Sequence, residues 1–135
     1  MNYCYNQNDY GKQVHVDNMY CVAKNNQNFR TAFWTGQYLQ LTLMSIPVNE
    51  EIGLETHKET DQYIRIEEGY AYVMVGKNQC QMDEQWQLCT GDAIFVPAGT
   101  WHNIINIGNC ALKISSVYAP PHHPFGTIHP TKEES

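Results

Sequence analysis

Residues 91–106 read GDAIFVPAGTWHNIIN, and this stretch decides the fold. Gly91-Asp92 marks a turn, residues 93–96 make a short apolar strand, and Pro97-Ala98-Gly99-Thr100 is a second turn from which residues 101–106 leave as another strand. Side chains alternate across a strand, so His102 shares a face with Ile104 and Asn106, while Trp101, Asn103 and Ile105 point the other way. A histidine at the mouth of an apolar face needs a polar partner.

The same punctuation extends outward in both directions. Residues 29–34 and 37–46 form a predicted hairpin about the Thr35-Gly36 turn; Leu39, Leu41 and Leu43 take one face of its second strand, and Tyr38, Gln40, Thr42 and Met44 the other. Further strands are expected over residues 62–68, 70–75, 79–82, 84–89 and 110–118, the last closing a barrel, with a short edge strand at residues 13–16. No segment carries helical periodicity. After Tyr118 the run Pro120-Pro121-His122-His123-Pro124 should end the sheet, because proline cannot donate to a ladder. Short alternating strands between Gly, Pro and Asn turns, at intervals of roughly ten residues, predict an all-β antiparallel sandwich or barrel. The expected division is an N-terminal arm over 1–28, a barrel over 29–119 and a Pro/His-rich tail over 120–135, whose His122, His123 and His129 read as a solvent-exposed arm packed on the barrel or a neighbouring subunit, ahead of a second metal site.

Metal-competent side chains lie upstream in GLETHKETDQYIRIEEG, residues 53–69. Glu55 and His57 are two apart and so can reach one point from one strand face, while Gln62 tops an apolar column with Ile64 and Ile66. With His102, two imidazoles, a carboxylate and an amide oxygen become available at spacings that a sheet can bring together. Pairing His57 with Glu59 instead leaves too few residues before Gln62.

At this point the sequence resembles the cupin family. Gly91, Pro97, Gly99, His102 and Asn106 fit every position of the second cupin motif, and Glu55, His57, Gln62 and Gly69 keep the spacing of the first with two ligand types changed. The phrases DQYIRIEEG, PAGTWHNIIN and YAPPHHPFGT are similar to those of small one-domain cupins often labelled mannose-6-phosphate isomerase-like. The resemblance covers roughly residues 36–119 and implies a jelly-roll (cupin) β-barrel with its site inside, near one open end. It also implies one divalent metal ion held by Glu55, His57, Gln62 and His102. Two imidazoles and a carboxylate approach the donor set of non-haem iron sites, which favours Fe or Mn and leaves Ni, Co and Zn open. Gln40 and Tyr118 would project into the same cavity as substrate contact and as hydrogen-bond donor or general acid.

Composition bounds the partners. The chain has 135 residues, one domain's worth, and a formal charge of -6 with eight basic residues, which argues against nucleic acid, an anionic membrane surface or a phosphosugar as partner. No apolar run approaches the roughly 20 residues that span a bilayer, and five scattered cysteines without a C-x-x-C pair suit a reducing, cytoplasmic compartment. Outward-facing Tyr63, Trp101 and Ile105 predict an apolar interface and a homodimer, with Arg65 meeting the partner chain. Three functions fit: a metal-dependent isomerase or lyase acting on a sugar acid or similar hydroxy-carbonyl compound, an Fe(II) dioxygenase, and a small-ligand-binding barrel without turnover. The first is favoured, since the pocket reads as polar.

Overall fold

The computed structural model describes residues 9–134; residues 1–8 of the expected N-terminal arm, Cys4 among them, and Ser135 lie outside the described residues. A short helix, α1 (Met19–Asn25), precedes nine strands: β1 (Arg30–Thr35), β2 (Gln40–Ile46), β3 (Asp61–Glu68), β4 (Tyr70–Gly76), β5 (Glu84–Cys89), β6 (Ala93–Val96), β7 (Trp101–Asn106), β8 (Leu112–Ala119) and β9 (Ile128–His129). They form an antiparallel six-stranded sheet in the order β6-β3-β8-β2-β1-β9 and a three-stranded sheet in the order β5-β4-β7. This is the all-β jelly-roll architecture expected. The two sheets remain open at their edges, so β8 does not close a barrel; it lies between β2 and β3.

Register explains why one end of the interior is polar and the other apolar. On the inner face of the larger sheet, Gln40, Tyr118, Gln62 and Val96 align in one row, and Thr42, Ser116, Ile64 and Ile94 in the next. Met44, Ile114 and Ile66 follow, and then Ile46 and Leu112. Ala71, Val73 and Ile104 face them from the smaller sheet, completing a core whose members are almost wholly buried. Each such aliphatic side chain contributes about 1.5–3 kcal/mol on leaving water, so packing below the polar row carries the fold.

Two turns are set by backbone chemistry. In Pro97-Ala98-Gly99-Thr100 the Thr100 amide donates to Pro97 O at 3.2 Å and Gly99 has φ 83°, the positive value that a type II turn demands at its third residue. Asn106, 2% exposed, donates through Nδ2 to Ile46 O and Cys110 O, each at 2.9 Å, and accepts from the Gly108 amide at 2.9 Å. The asparagine thus welds the end of β7 to β2 and to the turn before β8.

Several expectations are corrected. Residues 13–16 pair with no strand; the chain there leads into α1, capped by the Asn18 side chain, which accepts from Cys21 N at 2.9 Å. The buried Ala23 with Val22 and Met19 packs α1 on Phe33, Leu41 and Leu43 on the outer side of the larger sheet. Residues 79–82 form a turn, since the ladder between β4 and β5 begins only at Val75 and Glu84. The Pro-rich tail does return to the sheet: β9 pairs with β1, Arg30 opposite His129. Tyr63 lies on the larger sheet beside Val117 and Phe95, whereas Trp101 and Ile105 lie on the smaller one, so they make no single patch. Arg65 keeps its outward position, its side chain 45% exposed with Nε 3.4 Å from Glu67 Oε2. Among the described residues no helix is long and apolar enough to cross a membrane.

Candidate metal centre

The segment ahead of β3 runs along the free edge of β7 and brings the two halves of the site together. Glu55 and His102 form a bridge, with Glu55 N to His102 O at 3.0 Å and His102 N to Glu55 O at 2.9 Å. The Gly99 amide donates to His57 O at 2.8 Å, which ties the turn that launches His102 to the residue that must meet it. Glu55, His57 and His102 each offer a ligand atom, and these atoms all lie within 4.8 Å of one another.

The hydrogen bonds around them fit a cation. His102 is 2% exposed, and its Nδ1 lies 3.2 Å from Thr100 O. A carbonyl only accepts, so Nδ1 donates this bond and Nε2 is left to face the cluster. That Nε2 is buried, lacks a hydrogen-bond partner and stands 3.5 Å from Glu55 Oε1. A buried ring nitrogen without a partner beside a carboxylate is a place that a cation can fill. A backbone carbonyl holding the far nitrogen is also the usual support of a metal-ligating histidine. His57 Nε2 lies 3.2 Å from the same Glu55 Oε1. Burial alone would push the Glu55 carboxyl up, but the adjacent His102 and His57 outweigh it and hold the group well below the usual carboxylate range.

Gln62 stands in the row beside Tyr118, 6% exposed. Its Nε2 donates to Ser116 Oγ at 2.8 Å, which turns its carbonyl oxygen away as a buried acceptor without a partner. The three clustered donors therefore suit a divalent ion, and Gln62 offers an unused amide oxygen on the Tyr118 row. Tyr118, 1% exposed, packs its ring 5.5 Å from that of His57; burial first, then the Glu55 charge, pushes its hydroxyl up to about 12, so it is held protonated at neutral pH.

Gln40 departs from its expected place as a free substrate contact. Its Nε2 donates to Thr35 Oγ1 at 2.9 Å and to His123 O at 2.8 Å, and its Oε1 accepts from the His122 and His123 amides at 3.2 and 2.9 Å. Fully buried and saturated by the protein itself, Gln40 clasps the C-terminal arm onto the polar end of the interior. That arm is no detached tail. The exposed His122 ring lies 4.2 Å from His57, while half-buried His123 packs 5.2 Å from Tyr118. The arm packs on the body of the protein as expected; what the sequence did not reveal is that His122 and His123 stand beside the site, although a Pro-Pro step directly after the strand carrying Tyr118 signals that the chain turns there.

The family described as "Cupin domain" matches residues 42–118. The chain belongs to the cupin family. Among relatives, the Bacillus subtilis protein YrkC is 50% identical over 127 residues, covering 94% of this chain and 68% of that protein. The mimivirus protein L612 is 40% identical over 124 residues, covering 91% and 76%. A crystal structure of BH2720 from Bacillus halodurans superposes with TM-score 0.93 at 49% identity over 94% of this chain and 96% of that one. A predicted oxalate decarboxylase of Thermotoga maritima, at 19% identity and TM-score 0.59 over 67% and 77%, shares the cupin fold.

Proposed function

We propose that this cupin binds one divalent metal ion and acts as an isomerase or lyase on a sugar acid or a similar hydroxy-carbonyl compound. The observation that carries the reading is His102 Nε2, buried, without a hydrogen-bond partner and 3.5 Å from Glu55 Oε1, with His57 beside both. Glu55, His57, His102 and Gln62 would hold the ion, Fe or Mn by preference with Ni, Co and Zn open, and the ion would supply Lewis acidity toward two substrate oxygens. The chain's own residues supply the rest. Protonated Tyr118 stands beside His57 as a proton donor, and the arm brings the His122 ring within 4.2 Å of His57.

The test is product analysis by NMR of hydroxy acids and uronates incubated with metal-loaded protein. Conversion that disappears in His57→Ala supports the reading, and the absence of any conversion across the panel counts against it. Two histidines with one carboxylate also match the donor set of Fe(II) dioxygenases. Oxygen uptake with the same panel, dependent on Fe(II), would select that function instead.

A cytoplasmic setting suits Cys21, Cys80, Cys89 and Cys110, all free and exposed. A homodimer joined through Phe95, 75% exposed with its ring 4.9 Å from that of Tyr63, fits the strip on the larger sheet. Sedimentation of Phe95→Glu checks it: a shift of the wild-type dimer to monomer is expected, and a wild-type monomer refutes it.

A further inference from the structure

Arg30 is the most anomalous residue outside the metal cluster. It begins β1, two residues before Ala32, which pairs with Thr42 on the barrel-facing side, so the guanidinium belongs to the interior face; the residue is only 6% exposed. Nη1 donates to His129 Nδ1 at 3.1 Å, which makes that nitrogen the acceptor and His129 neutral. Nε is buried without a partner, and among the described residues no carboxylate pairs with Arg30. A buried charge with neither counter-ion nor full hydrogen bonding is costly, and folds keep one where something arrives to pair with it.

Its surroundings define what arrives. The Arg30 charge reaches Tyr118, His122, His123 and His129, in each case opposing positive charge or favouring the loss of a proton. His123 Nε2 is a second buried polar atom without a partner. Tyr118 stands between the two regions, its ring 5.5 Å from His57 and 5.2 Å from His123.

We propose that Arg30, assisted by His123 Nε2, is the recognition site for the carboxylate of the ligand, whose remaining oxygens extend past Tyr118 toward Glu55, His57 and His102. The inference rests on the proposed metal-dependent reading and narrows its substrate class to carboxylic acids. The planar guanidinium fork matches a carboxylate's two oxygens. One cation beside a neutral imidazole balances a single negative charge, whereas a phosphate, carrying more charge, would lack cations and feel Glu55. The pairing supplies the missing counter-ion only when ligand is present.

The experiment is calorimetric titration of D-glucuronate, D-gluconate and lactate, with D-glucose and sorbitol as neutral counterparts, into metal-free and Mn(II)-loaded full-length protein, wild type and Arg30→Met. Carboxylates should bind the wild type and the neutral sugars should not, and Arg30→Met should weaken binding by roughly tenfold or more with Mn(II) uptake unchanged. Melting without ligand separates recognition from structure: Arg30→Met should melt at the wild-type temperature or above, since it removes an uncompensated buried charge. A marked fall in melting temperature or failure to fold would make Arg30 a structural residue and overturn the proposal. Equal carboxylate binding in Arg30→Met, or no binding of any carboxylate with or without Mn(II), would also overturn it. Carboxylate binding that depends on Arg30 but gains nothing from Mn(II) would keep this site and remove the metal-dependent reading.

Discussion

Replacing Gln40 with methionine isolates the clasp that holds the C-terminal arm against the larger sheet. Methionine is unbranched and close in volume, so it leaves little cavity. What it removes is four hydrogen bonds, to Thr35 Oγ1, His123 O and the His122 and His123 amides. Each neutral bond has a net worth of about 1 kcal/mol, and a buried partner left orphaned costs about 1–3 kcal/mol. The exposed side of the arm lets part of this cost be recovered from water, and Thr35 Oγ1 keeps its bond to Asp9 Oδ2. The expected destabilisation is therefore about 2–4 kcal/mol. It would be read from urea unfolding at pH 7, with hydrogen exchange reporting faster exchange at the His122 and His123 amides than in the β2 and β8 core. A loss below about 1 kcal/mol, or arm amides as protected as in the wild type, would refute the clasp.

Two titrating groups predict the pH limits of stability. Burial first, then Arg30 and His122, lowers His123 to about 3, so between 6.5 and that value the unfolded chain takes up a proton the folded one refuses. The stabilisation is present above pH 6.5 and lost as pH falls, and His123→Gln should flatten this acid limb of the urea midpoint. Tyr118, raised by burial to about 12, contributes the reverse: stability present below pH 10 is lost as pH rises towards 12, and Tyr118→Phe should flatten the alkaline limb. Gly99→Ala meets no atom within 4 Å but forces alanine to φ 83°, which should cost about 1–2 kcal/mol in urea unfolding; no measurable cost would refute a strictly backbone role for Gly99.

What the sequence made legible is what local geometry dictates. Pro97 and Gly99 specify the turn that launches His102, and the spacing of two between Glu55 and His57 puts both on one side of an extended segment; each rule works over a few residues. The rows of the larger sheet follow from the same alternation. Contacts that span the chain stayed hidden: Gln40 is 82 and 83 residues from the amides it clasps, and its parity toward the interior gave no sign that the protein itself would saturate it. Helix α1, seven residues long, is too short for a period of 3.6 to declare itself, and β9 holds only two residues. Arg30 shared its strand face with Ala32, but only the fold shows that among the described residues no acid comes to meet it.

The central claim is that Glu55, His57 and His102 hold a metal ion. Its most direct test is elemental analysis of protein purified without chelator or nickel affinity resin, beside the Glu55→Ala/His102→Ala double variant. The account predicts near-stoichiometric iron or manganese in the wild type, and little in a double variant that keeps its β-sheet circular dichroism. Equal metal content in the two proteins, or a wild type that neither carries nor takes up Fe(II), Mn(II), Ni(II), Co(II) or Zn(II), would contradict it.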